Sequence, residues 1–157
     1  MRADSMVPPI PMTVTVEFAF DAIHLIQTIM RADGELAPTE RGAIDAVSRV
    51  LGIGSVTVPA SRPNALRAQR ADVEREVLYG GAAWMGMADG NVAPRERVLL
   101  DGFGSSLALS PGRIRRIERL AQASFDGESA RDWTSRQWST AYATLVGRIV
   151  ETVGTEI

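Results

Sequence analysis

The chain has 157 residues, 45% of them hydrophobic and 23% charged, with a formal net charge of −2. That balance fits one globular domain with a real core, and gives no overall drive toward nucleic acid or an acidic membrane surface. Cysteine and lysine are absent and there is a single histidine, which excludes disulfides, thiolate catalysis and lysine chemistry and leaves a His-rich metal site or hydrolytic triad hard to build.

Residues 1–16 read as a leader, extended over 1–12 by Pro8, Pro9 and Pro11. An acid at Asp4 and the proline-broken run 7–11 argue against a secretion signal. No apolar run approaches the roughly 20 residues of a membrane helix, so the expectation is a cytoplasmic protein without membrane insertion. Residues 13–16 alternate like a strand, but stand alone and can equally lead into a helix.

Residues 17–157 are expected to form one all-α domain. Phe18, Ala22, Leu25, Ile26 and Ile29 recur on one helical face. That helix should stop at Asp33-Gly34, with Gly34 in the left-handed C′ position. The next should start at Pro38, with Ala37 a poor N-cap and Glu40 at N3 reaching back to the cap N–H. Ile44, Val47 and Leu51 form its buried face, and Gly52, Ile53 and Gly54 end it. A loop is expected over 56–63, followed by an arginine-rich segment over 64–71 and a cap at Asp72.

The third helix should bury one face, made of Val77, Leu78, Gly81, Trp84, Met85 and Ala88, before Asp89-Gly90 stops it. A fourth restarts at Pro94 and buries Leu99, Leu100, Phe103 and Leu107. Ser110-Pro111 caps a fifth over about 111–124, which ends at Asp126-Gly127-Glu128. The sixth, about 135–153, has a Thr134/Gln137 capping box, a Trp133/Trp138 staple, and Ala141, Leu145, Ile149 and Val153 inward.

The chain repeats itself. Ala32-Asp33-Gly34-Glu35-Leu36-Ala37-Pro38-Thr39-Glu40-Arg41 returns 56 residues later as Ala88-Asp89-Gly90-Asn91-Val92-Ala93-Pro94-Arg95-Glu96-Arg97. The register holds onward, pairing Ile44 with Leu100, Asp45 with Asp101, Val47 with Phe103 and Leu51 with Leu107. Two helical hairpins, about 17–53 and 73–109, are therefore read as diverged copies followed by two further helices.

This duplicated helix–Ala-Asp-Gly-x-apolar-x-Pro-x-Glu–helix unit, closed by Leu51-Gly52-Ile53 and Leu107-Ala108-Leu109, resembles the TerB-like family of tellurite-resistance proteins over roughly residues 17–125. The resemblance implies a compact, internally duplicated helical bundle in the cytoplasm. It also implies a stress-response or metal-linked role, with metal ligands at Asp33, Glu40, Asp89 and Glu96. Asn91 in place of Glu35 makes the second loop the less acidic one.

The acidic loops allow two readings. Carboxylate oxygens suit hard divalent cations such as Ca²⁺, Mg²⁺ or Mn²⁺, and Asp33 and Glu40 could converge on one, with Glu35 or Asp45 near. An EF-hand is excluded, because counting from Asp33 the loop lacks a glycine at position 6 and a glutamate at position 12. The competing and weightier reading is folding punctuation: Asp33 accepts loop N–H groups, and Glu40 and Glu96 cap their helices.

Other features favour plain structural roles. His24 neighbours Glu17, Asp21 and Thr28 at helical spacing, yet its partner in the second copy is Gly80. Arg113, Arg115, Arg116 and Arg119 could meet phosphate or an acidic partner, but Glu118 interrupts them and no aromatic interleaves, so nucleic acid is not expected. No Ser or Thr has a catalytic motif or base beside it. The expected function is non-enzymatic: an ion-sensing or partner-docking module. The alternatives are a structural adaptor without metal, with an exposed apolar patch on the last helix, and a carboxylate- and metal-dependent hydrolase.

Overall fold

A computed structural model describes residues 10–32, 38–52, 71–88, 92–125 and 133–154, with backbone alone at 38–41 and 154. These hold six α-helices: α1 Val16–Arg31, α2 Pro38–Val50, α3 Asp72–Gly86, α4 Pro94–Ser106, α5 Pro111–Ala123 and α6 Ser135–Gly154. Among the described residues there is no strand. The alternating segment 13–16 instead feeds α1, where Thr15 Oγ1 accepts the Phe18 N–H at 3.1 Å.

Local capping follows the sequence closely. Ser110 Oγ accepts the Arg113 N–H at 3.2 Å, and Pro111 opens α5 at a position that needs no donor. Thr134 and Gln137 complete a reciprocal box: the Thr134 N–H donates to Gln137 Oε1 at 2.8 Å, and the Gln137 N–H to Thr134 Oγ1 at 3.3 Å. The Trp133 and Trp138 rings meet edge to face at 5.1 Å. The start of α3 differs from expectation. Asp72 is its first helical residue, and the cap is Ala71, whose N–H donates to Glu74 Oε1 at 3.3 Å. An alanine cap accepts nothing, so N3 glutamate supplies the only side-chain contact.

The two helices that close the hairpins end alike. Gly52 and Ala108, which the repeat pairs, both take left-handed backbone, with φ of 83° and 58°. After α4 the Ala108 N–H bonds Ser105 O and the Leu109 N–H bonds Gly104 O, both at 3.0 Å, which is a Schellman ending. Paired apolar positions are buried in both halves: Val47 with Phe103, and Leu51 with Leu107.

The core is organised around α3, which packs against α1, α4, α5 and α6, while α2 lies on α6 and α1. Every residue from Glu76 to Ala88 is buried. This is a correction to the expected single buried face: α3 is apolar on nearly all sides, the pattern of a helix enclosed by others. Trp84 sits in an aromatic cluster, 5.3 Å from Trp138, 5.3 Å from Tyr142 and 6.1 Å from Phe125, and so ties α3 to α6 and to the end of α5. Close approach elsewhere needs glycine. A Cβ on Gly80 would stand 2.6 Å from Ile149 Cδ1 of α6, and one on Gly104 would stand 2.7 Å from Ile114 Cδ1 of α5.

The expected stops at Asp33-Gly34, Asp89-Gly90 and Asp126-Gly127-Glu128, and the segments 56–63 and 64–70, lie outside the described residues. Among the described residues no helix is long and apolar enough to cross a membrane.

Two of the glycines mark the extremes of packing. Gly102 in α4 is exposed and has open space where a Cβ would stand, so Gly102→Ala should raise stability by about 0.5–1 kcal/mol through helix propensity. Gly80→Val puts three carbons against the fully buried Ile149 and should lower it by about 2–3 kcal/mol. Urea unfolding of both variants measures the contrast, and equal shifts would remove the close-packing role of Gly80.

Candidate functional site

Of the four acidic residues implicated from sequence, Asp33, Asp89 and the Glu40 side chain lie outside the described residues, and Glu96 lies within them. Glu96 is 7% exposed, and its Oε1 accepts the Ala93 N–H at 2.8 Å. This half of a capping box matches the Glu74 contact to Ala71 at the start of α3. One Glu96 oxygen is thus occupied by an orphan backbone donor of α4. Among the described residues no group of three or more His, Cys, Asp or Glu comes together to hold a metal. The described geometry fits a helix cap at Glu96, and no chemical step through a cation follows from it.

The structure does bring charged residues together at a place the sequence did not flag, where α3, α4 and α5 meet. Glu76 is buried on α3, and Arg116 Nη2 donates to its Oε1 at 2.6 Å. Arg113 Nη1 stands 3.6 Å from Glu76 Oε2 and 3.7 Å from Asp72 Oδ2. Asp72 also pairs with Arg75. Arg75 Nη1 reaches the end of α4, donating to Leu107 O at 2.9 Å and Ala108 O at 3.3 Å, the carbonyls a helix C-terminus leaves unpaired. One turn further along α3, the Tyr79 hydroxyl and Arg97 Nη2 each donate to Glu118 Oε2 at 2.6 Å. Arg97 Nε lies 3.4 Å from Asp101 on the exposed side.

These contacts set the titration of the group. Burial and the neighbouring Glu118 push the Tyr79 phenol well above its ordinary range. Burial alone would raise the Glu118 carboxyl, but hydrogen bonds from Arg97 and Tyr79 and the Arg97 charge outweigh it and hold the pKa below its ordinary value. The hydrogen bond to Glu118 in turn keeps Arg97 firmly protonated against the effect of burial. Every member is held by a partner of opposite character. The cluster fixes helices and does not present a poised acid or base.

The arginine run on α5 is therefore split. Arg113 and Arg116 turn toward α3, and Arg115 and Arg119 are exposed. Arg113 and Arg116 share a helical face with the buried Ile117 and with Leu120. His24 is half-buried and Asp21 fully buried on α1.

One cleft is prominent, between the end of α5 and α6. It encloses about 490 Å³ and is half open to solvent. Leu120, Phe125, Trp133, Ala141 and Leu145 form its apolar floor, and the Phe125 and Trp133 rings lie 5.2 Å apart. Arg136, Thr140, Thr144 and Arg148 line one wall, and all four are exposed. None of its described lining residues is acidic. The apolar surface of the last helix is thus sunk in a groove and not displayed as a patch. The large exposed hydrophobic residues among those described are Val16 and Val98, on α1 and α4.

No protein-family model, curated protein or solved structure matches the chain.

The charged cluster makes two expectations. Glu76→Ala leaves Arg116 and Arg113 facing a buried gap and should lower stability by about 3 kcal/mol, whereas Asp101→Ala, at an exposed pair, should change it by less than about 0.5 kcal/mol. Equal effects in denaturant unfolding would mean that the buried pair does not hold α5. The second expectation concerns pH. Because the folded Glu118 pKa is depressed, its contribution is complete above the ordinary value of 4.5 and is lost as pH falls through the lower, folded value. Glu118→Gln should therefore weaken the fold at pH 7 by about 1 kcal/mol and flatten the loss below pH 4.5. An unchanged acid-unfolding curve would remove Glu118 as a source of acid sensitivity.

Proposed function

We propose that this chain is a non-enzymatic, TerB-like helical module that acts by docking on other proteins. The cleft between α5 and α6 carries this reading. It joins an apolar aromatic floor to an arginine-bearing wall, the composition enriched at protein interfaces, and its described lining holds no carboxylate to serve as acid, base or metal ligand. A carboxylate hydrolase would need a carboxyl of raised pKa in a concave site. Among the described residues, the carboxyl whose titration is clearly perturbed, Glu118, is shifted the other way and is clamped by Arg97 and Tyr79.

The TerB-like organisation is supported by the repeat register and by its shared details. Gly52 and Ala108 take the same left-handed turn, and Val47/Phe103 and Leu51/Leu107 are buried in both halves. A stress-linked role in the cytoplasm belongs to the same resemblance. Its metal-linked side is a second reading, in which Asp33, Glu40, Asp89 and Glu96 hold a divalent cation. What favours it is that Glu96, beside the second acidic loop, is a buried carboxylate.

A thermal melt separates the two. Wild type and an Asp33→Asn/Asp89→Asn variant are compared in EDTA and with added Ca²⁺, Mg²⁺ or Mn²⁺. The docking reading expects no ion-specific stabilisation of either. A bound ion at 100-fold its dissociation constant would add about 2.7 kcal/mol to wild type alone, and that result would replace docking with cation sensing.

A further inference from the structure

We infer that the α5–α6 cleft receives one acidic amphipathic helix of a partner protein, laid along α6. The inference rests on the docking reading above and adds the chemistry of the occupant. Arg136, Thr140, Thr144 and Arg148 follow one another at i, i+4 along α6 and form a single exposed ridge. The arginines are twelve residues apart, or about 18 Å along the axis, between three and four helical turns. Neither has an ion-pair partner among the described residues, in contrast to Arg113 and Arg116, which are paired to Glu76.

Two guanidinium groups without an ion-pair partner among the described residues, at the two ends of a trough, define the complementary shape. The occupant carries an apolar stripe at i, i+3, i+4 and i+7 to cover the half-buried Leu120 and Trp133, and carboxylates three turns apart on one flank. The thread of Thr140 and Thr144 hydroxyls between the arginines supplies further donors for that flank. A small apolar molecule is less suited. Such ligands are largely enclosed by their sites, whereas this cleft is open along one side. A trough between two helices is instead the place where a third helix packs. Trp133, half-buried at one end, offers the aromatic anchor on which such interfaces depend.

The test uses two designed peptides of about four helical turns, with the same leucine stripe and with either glutamates or lysines on the flank. Binding to the full chain is followed by fluorescence anisotropy, and the site by amide shifts of α6 and Trp133. The glutamate peptide should bind at least roughly tenfold tighter than the lysine peptide and should weaken as salt is raised. Arg136→Glu/Arg148→Glu should reverse the preference. Both residues are exposed, so this variant should keep the wild-type melting temperature, and Thr144→Trp should block the cleft without changing charge. If the lysine peptide binds the cleft equally well, the acidic occupant is wrong while docking survives. If neither peptide shifts Trp133, the docking reading falls as well. Binding to anionic vesicles that competes with the glutamate peptide would identify a membrane in place of a partner helix, and would overturn the inference.

Discussion

A helix with no solvent face has to be enclosed, and α3 is such a helix from Glu76 to its end at Gly86. Most of the architecture follows from that constraint. Its leucine, valine, tryptophan and methionine side chains leave water only if neighbours cover every side, which α1, α4, α5 and α6 do. The small residues Gly80, Gly81, Ala82 and Ala83 bring those neighbours close. A Cβ on Gly81 would already stand 3.3 Å from Ile26 of α1 and 3.4 Å from Tyr142 of α6. The same helix carries Glu76 inward, and an unpaired buried carboxylate is costly. Arg116 on α5 hydrogen-bonds one of its oxygens and the Arg113 guanidinium stands 3.6 Å from the other, so these two residues turn one face of α5 toward α3.

The two ends of α3 are consequently held by different physics. Near its start, charged and hydrogen-bonded partners specify direction: Arg75 grips the end of α4, and Tyr79 meets the Glu118–Arg97 pair. Near its end the contacts are aromatic, with Trp84 among Phe125, Trp138 and Tyr142. That cluster buries the Trp84 and Trp138 indole N–H groups and the Tyr142 hydroxyl without a hydrogen-bond partner among the described residues, at about 1–3 kcal/mol each. Apolar burial and ring geometry outweigh this, so the aromatic end is fixed by packing and the other by polarity.

Much of the fold was legible because the helix ends carry explicit chemistry. Thr134 with Gln137, Ser110 before Pro111, and Pro94 with Glu96 at N3 each mark a start that the structure shows. The apolar positions of α1 and α6 were also readable from spacing. What escaped was the setting of α3. Its mixed run of tyrosine, glycine and alanine hides how many neighbours surround it, since periodicity reports one face and not enclosure. The charged cluster escaped for a related reason: Glu76, Arg97, Arg116 and Glu118 lie on three helices, and a solvated charge run reads the same as an inward one until the tertiary partner is known. The left-handed backbone of Ala108 escaped too, although the repeat sets it opposite Gly52.

The repeated motif draws attention to itself, yet the cleft between α5 and α6 lies beyond it. In its second copy the described carboxylate, Glu96, is engaged by the Ala93 N–H, an interaction that folding alone explains. The two closing helices are also held differently: α2 lies on α6, while α4 is tied to its neighbours by Arg75, Arg97 and the Gly104–Ile114 approach. The cleft lies between the end of α5 and α6, helices that follow the repeated segments of the sequence. Both helices serve the core as well: α6 supplies Trp138, Tyr142 and Ile149, and Arg116 of α5 pairs with the buried Glu76, so the cleft is framed by elements that also hold the fold.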